Sequence, residues 1–103
     1  MNDITLEQFQ ILAIMNWAWY ISLDDRKFKF IPFFKARKNP YPDLVIDKHD
    51  VRDLIEMGFL EGYKSGWRLS YSGKKDFKDH REKCAERLGI DLPEYNEEEF
   101  ETI

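Results

Sequence analysis

The sequence predicts an α+β domain, and three observations carry that reading. Thr5-Leu6-Glu7-Gln8 has the pattern of a helix start and leads into an apolar stretch. Asp47 to Leu88 gives helix, hairpin and helix signals in turn. Phe28 and Phe30 alternate with Lys27 and Lys29 in strand period. The expected content is three main helices, a β-hairpin in the C-terminal half and a short third strand.

The first helix begins at Thr5, whose hydroxyl can accept from the amide three residues on while Gln8 reaches back. Glu7 lies in the first turn, where the helix dipole favours an anion. The run Ile11 to Ile21 is apolar except for Asn16, so the helix is expected to continue through Met15 and Trp19. A helix apolar nearly all round either passes through the centre of its domain or is covered by a second chain. Asp24-Asp25 then marks a turn. Arg26 to Lys38 holds six basic residues and no acid, with a short strand at Phe28 to Phe30. One or two helical turns fit between Phe33 and Lys38, and the prolines make Asn39 to Asp43 a loop.

Asp47 is a suitable N-cap for the second helix, with Asp50 in its first turn. Val51, Leu54 and Ile55 share one face, and Gly58 is placed to end the helix in a left-handed conformation. Phe59 to Tyr63 and Trp67 to Tyr71 are the expected hairpin strands, joined through Lys64-Ser65-Gly66, with Gly66 letting the tip close. Trp67, Leu69 and Tyr71 would face one way. Ser72 would cap the third helix, with Gly73 easing the exit from the strand. Phe77, the Arg81 stem, Cys84 and Leu88 would form its buried stripe, and Gly89 would stop it.

Composition bounds the function. The chain has 103 residues, 43% of them hydrophobic and 16% aromatic, which suits one packed domain rather than a disordered segment. We divide it into a domain over residues 1–90 and an acidic tail over 91–103. The tail carries six acids and no Lys or Arg, whereas the rest holds 16 basic and 14 acidic side chains, a net of +2 beneath an overall −4. A single cysteine excludes an internal disulfide. No targeting segment is evident, and the eleven-residue apolar run is short of the roughly 20 a membrane span needs. The expectation is a soluble, cytoplasmic protein.

The segment Leu54-Ile55-Glu56-Met57-Gly58-Phe59-Leu60-Glu61, followed by Trp67-Arg68-Leu69-Ser70-Tyr71-Ser72-Gly73-Lys74, resembles MarR-like and PadR-like winged-helix regulators. In that group a recognition helix ends at a glycine, a hydrophobic residue and an acid open the wing, and Leu-Ser/Thr-x-x-Gly closes it. Thr5 to Leu12 is similar to an early helix of the group. The resemblance spans about half the chain and implies a winged helix that binds DNA, commonly as a dimer. Two departures stand out. Asn39-Pro40-Tyr41-Pro42-Asp43 occupies the place of the short helix that precedes the recognition helix, and Asp50, Asp53 and Glu56 lie on the would-be recognition helix itself.

The expected nucleic-acid contacts are Lys48, His49 and Arg52 on that helix and Lys64 and Arg68 on the wing. Arg26, Lys27, Lys29, Lys35, Arg37 and Lys38, interleaved with phenylalanines, would widen the basic surface or stack bases. Trp17, Trp19 and Tyr20 offer apolar surface for a homodimer or protein partner. Asp76, His80 and Cys84 recur at helical spacing, yet zinc wants four ligands from separate elements, so no metal site is expected. No Walker loop, nucleophile elbow or cysteine pair is present, and neither a catalytic residue nor a cofactor is expected. The leading expectation is a non-enzymatic, DNA-binding transcriptional regulator. The alternative is a protein-interaction module of a phage or mobile element that occupies a host complex, its acidic tail mimicking nucleic acid.

Overall fold

In the computed structural model, which describes residues 4–16, 19–33 and 39–93, the capping box at Thr5 is formed. The Gln8 backbone N–H donates to Thr5 Oγ1 at 3.1 Å, and the Thr5 N–H donates to Gln8 Oε1 at 2.9 Å. Helix α1 spans Leu6–Met15, and Phe9, Ile11, Leu12, Ala13, Ile14 and Met15 are all buried. It contacts both other helices and the sheet. Of the two expectations for an all-round apolar helix, passage through the centre of the domain is the one observed.

Its length is a correction. The helix stops at Met15 with Asn16 as C-cap, and Trp19–Asp24 forms strand β1 rather than a continuation. A buried strand and a buried helix both present unbroken apolar sequence, so periodicity does not separate them. Ladder pairing on both edges of β1 decides the matter here. β1 pairs antiparallel with β2 (Lys27–Pro32), from Trp19↔Pro32 to Asp24↔Lys27, and with β4 on its other side. The short strand expected at Phe28 to Phe30 is present within β2, and β1 is a fourth strand where helix was expected.

Helix α2 (Lys48–Glu56) is capped by Asp47, whose side chain accepts from the His49 N–H at 2.7 Å. Val51 and Leu54 are buried beneath it, and Gly58 adopts φ +85°, the left-handed turn that releases the chain into β3. Strands β3 (Leu60–Tyr63) and β4 (Gly66–Leu69) form the expected hairpin, and the sheet order is β2-β1-β4-β3, antiparallel throughout. Helix α3 spans Tyr71–Leu88 and ends at Gly89, φ +72°. The described fold is thus α+β, with three helices and a four-stranded antiparallel sheet, and none of those helices is long and apolar enough to cross a membrane.

Directly paired residues share a face of the sheet. Ile21, Phe28, Phe30, Trp67 and Leu69 pack in or against the core, where Phe9 and Phe77 meet at 5.4 Å between ring centroids. The opposite face carries Tyr20, Lys29, Tyr63 and Arg68. Arg87 Nη2 donates to the Ile4 carbonyl at 3.1 Å, fastening the end of α3 to the start of the described chain. Ile90 and Leu92 also pack against the core, so the first residues assigned to the tail belong to the folded part.

The wing residues contribute differently from expectation. Gly66 is not the loop tip but the first residue of β4, and a Cβ there would lie 1.9 Å from the Ile21 carbonyl oxygen. Its role is close approach of two strands. Ser70, not Ser72, caps α3: its Oγ accepts from the Gly73 N–H at 2.9 Å and donates to the Gly58 carbonyl at 2.6 Å. Tyr71 accordingly opens the helix and is 86% exposed instead of joining the core face of a strand. Gly73 sits against Phe59, whose carbonyl oxygen would be 2.4 Å from a Cβ.

Replacing Gly66 by Ala must push β4 from β1 and is expected to lower unfolding stability by roughly 1–3 kcal/mol. Gly62→Ala, with open space around its Cβ, is expected to change it by less than about 0.5 kcal/mol. Urea denaturation of the two variants checks the difference.

Candidate nucleic-acid interface

The two hairpin tips lie side by side because of the β1–β4 register. Ser22 pairs with Gly66, the Leu23 N–H donates to the Ser65 carbonyl at 3.2 Å, and the Ser22 and Ser65 hydroxyls are 2.7 Å apart. In the first tip Asp25 and Arg26 have φ of +47° and +65°, the pattern of a type I′ turn. That turn favours Asn and Gly, so an arginine in it is held in a conformation costing about 1–2 kcal/mol. In the second tip Lys64 has φ +49°.

Beside the first tip runs a groove of about 680 Å³ between β2 and the segment from Asn39 to Lys48. Trp19, Phe28 and Phe30, half-buried, form much of its floor, and exposed Arg26 and Lys48 line it, while Lys27 and Lys29 border it from β2 with their side chains on the other face of that edge strand. The opposite wall follows from local geometry. The Tyr41 N–H donates to Asn39 Oδ1 at 2.8 Å and the Leu44 N–H to the Tyr41 carbonyl at 3.1 Å, which turns the proline-rich loop back toward the sheet. Val45 is left 82% exposed. Asp47 also lines the groove, but its carboxylate is committed to capping α2. Lys29 pairs with Asp24 at 3.9 Å, but both side chains are exposed and the pair is weak in water.

The wing cations are placed otherwise. Tyr20, Phe33 and Tyr63 form an aromatic cluster with centroids 5.0–5.4 Å apart. Lys64 Nζ lies 5.7 Å from the Tyr20 ring and 5.4 Å from the Tyr63 ring, and the Arg68 guanidinium is 4.9 Å from Tyr63. Arg68 Nε also donates to Glu61 Oε1 at 2.9 Å. Lys64 therefore joins the basic end of the sheet through the tied tips, while Arg68 is held against its own aromatic and acidic neighbours.

Helix α2 presents a different charge. Arg52 lies 4.0 Å from Asp53, and Glu7 and Asp50 face the same region. Partial burial raises the Asp50 carboxyl above the ordinary aspartate value, and the negative charges of Asp47, Glu7 and Asp53 push it the same way, with His49 opposing. Of the helix residues expected to contact nucleic acid, Lys48 reaches the groove, His49 is exposed at the helix start, and Arg52 is beside an acid.

Trp17, Lys35, Arg37 and Lys38, and the one- or two-turn helix expected before Lys38, lie outside the described residues. Tyr20, expected at a partner interface, is only 8% exposed and sits in the chain's own aromatic cluster. Trp19 is half-buried. His80 Nδ1 is 3.0 Å from Asp76 Oδ1, whereas Cys84 is buried, so the helical trio is divided between surface and core. No group of three metal-ligating side chains occurs among the described residues.

Sequence reasoning passed over two orphaned groups. Among the described residues, Trp19 Nε1 and both amide atoms of Asn16 are buried without a hydrogen-bond partner. Such groups cost about 1–3 kcal/mol each. The signal for Asn16 was its standing alone as a polar residue in the apolar run.

The raised Asp50 pKa has a definite sign. Folding favours the protonated form, so ionisation opposes folding, and this opposition grows as pH rises from below 3.8, the ordinary value, through the raised folded value. Asp50→Asn is therefore expected to gain in Tm relative to the parent between acid and neutral pH, read by thermal melts across that range. The parent gaining instead would contradict repulsion at this face. No known protein family, curated protein or solved structure matches this chain.

Proposed function

We propose that this chain is a small winged-helix protein that binds duplex DNA as a transcriptional regulator, gripping it with the hairpin tips and the groove beside β2. The observation that carries the reading is the gathering of Arg26, Lys27, Lys29 and Lys48 along β2 and the groove beside it, Lys27 and Lys29 on the sheet face opposite the aromatic floor, with Arg26 kept in a left-handed conformation that glycine would fill at less cost. Strain of this kind concentrates at working sites. The winged-helix assignment is supported by α2 passing through Gly58 straight into the β3–β4 hairpin, and by β1 adding a third strand to that wing. In this arrangement phosphate contacts dominate, and α2 is not the reading element, since its exposed face gathers carboxylates that phosphate repels.

Four phosphate contacts predict a slope of about −3 to −4 in log K against log salt for random duplex DNA, measured by fluorescence anisotropy. Arg26→Gly is expected to move two properties oppositely. It relieves the turn and adds about 0.5–1 kcal/mol of stability, while it weakens DNA binding and reduces the salt slope by about 1. Arg52→Ala, beside Asp53, should leave binding nearly unchanged. No binding at low salt, with or without residues 94–103, would sink the proposal.

A second reading has its own observation: the acidic face built from Glu7, Asp50, Asp53 and Glu56, beside exposed Met57, suits a basic protein partner. A complex recovered from native cells and lost on Asp53→Lys, in a protein that ignores DNA, would establish that reading instead.

A further inference from the structure

Helix α1 ends in a polar side chain that the fold does not use. The Asn16 backbone N–H is satisfied by the Leu12 carbonyl at 2.9 Å, which explains why the chain turns there. The side chain is a separate matter. Asn16 is 1% exposed, and neither its amide oxygen nor its amide nitrogen has a hydrogen-bond partner among the described residues. A leucine of similar size would fill the space without that penalty, and buried amides are nearly always paired. Asn16 lines a cleft of about 220 Å³ at the far end of β4 from the hairpin tips. Phe33, Leu69 and Tyr71 supply apolar wall, and Arg68 and Lys74 bring positive charge to the lining.

We propose that this cleft binds a single nucleobase, carried by a mononucleotide or by a single strand, with the Asn16 amide hydrogen-bonding the base edge. A carboxamide places an acceptor beside a donor, which is the complement of the donor–acceptor pairs on base edges and the geometry by which asparagine reads adenine. The aromatic walls suit the flat faces of a base. The volume lies below the roughly 300–1,000 Å³ of pockets that take drug-sized ligands, which fits one ring system. Arg68, bonded to Glu61 and stacked on Tyr63, and Lys74 line the cleft beside the base site, where a phosphate would meet them. A carboxylate ligand fits less well, because the floor of the cleft offers a neutral amide and not a cation.

Tyr71 supports the same use. As the first residue of α3 it is anchored by the Ser70 cap, yet its ring is 86% exposed beside the cleft. The cleft shares no lining residue with the basic groove, so the inference stands whether or not duplex DNA binds there.

The test is titration of the full chain with AMP, GMP, CMP and UMP, and with short oligo-dA and oligo-dT strands, followed by calorimetry and the Asn16 side-chain NH₂ resonances. At least one probe is expected to shift those resonances saturably. Tighter binding of a mononucleotide would identify a free nucleotide as the ligand, and tighter binding of an oligomer a strand. Asn16→Leu is expected to raise Tm while weakening binding at least about tenfold, because it removes an unsatisfied polar group and the base contact together. Tyr71→Ala is expected to weaken binding with Tm unchanged. Undisturbed Asn16 resonances at millimolar probe, or a lowered Tm in Asn16→Leu, would overturn the proposal, the latter by revealing that the amide is paired internally, for instance to an enclosed water.

Discussion

The structure depends on the close approach of β1 to β4 at Gly66. Without a side chain there, the Ile21 backbone lies against β4, and the N-terminal hairpin joins the C-terminal one as a single sheet. That contact completes the surface on which α1 is buried. It also fixes where the chemistry lies. Because Ser22 stands opposite Gly66, the two tips fall at the same end of the sheet, tied through Ser22 and Ser65. A one-residue slip would turn Ile21 outward and Tyr20 inward, since successive side chains alternate. The glycine contact and the tip hydrogen bonds oppose that slip together.

The parts of the fold legible in the sequence were those with local chemistry. Thr5 with Gln8, Asp47, Gly58 and Gly89 act through their immediate neighbours, and each ends or begins an element where its type predicts. What was not legible depended on partners remote in sequence. Trp19 to Ile21 is apolar enough for a buried helix or strand, and only pairing with Phe30 and Trp67 makes it a strand. Ser72 is the expected cap, and Ser70 takes that place because its N–H donates to the Phe59 carbonyl at 2.8 Å where β4 ends. The same division runs through the interface. The basic strip at Arg26 to Lys29 was plain in the sequence, whereas its meeting with Lys48 required the loop from Asn39 to be folded back.

Charge is sorted by element in a way the overall balance conceals. The groove gathers cations from β2 and from the first residue of α2, while carboxylates collect on the other side of the same helix and on Glu7. Helix α2 thus separates a basic from an acidic region. Partial burial of Asp50, with the surrounding acids adding to it, raises its pKa and works against stability at neutral pH. A fold under no other constraint has little reason to keep that arrangement, nor to hold Arg26 at φ +65°.

These costs share a pattern with the orphaned groups. Trp19 Nε1 and the Asn16 amide are each buried without a partner among the described residues, and each belongs to a residue lining a different cavity, Trp19 the basic groove and Asn16 the small cleft. Local structure explains neither. Asn16 caps α1 through its backbone, and Trp19 pairs in the sheet through its backbone while its indole N–H meets no acceptor among the described residues. Residues that break a local rule without a compensating contact inside the chain point to a contact outside it. On that argument the unpaired groups mark the places where the nucleic-acid contacts proposed above would supply their partners.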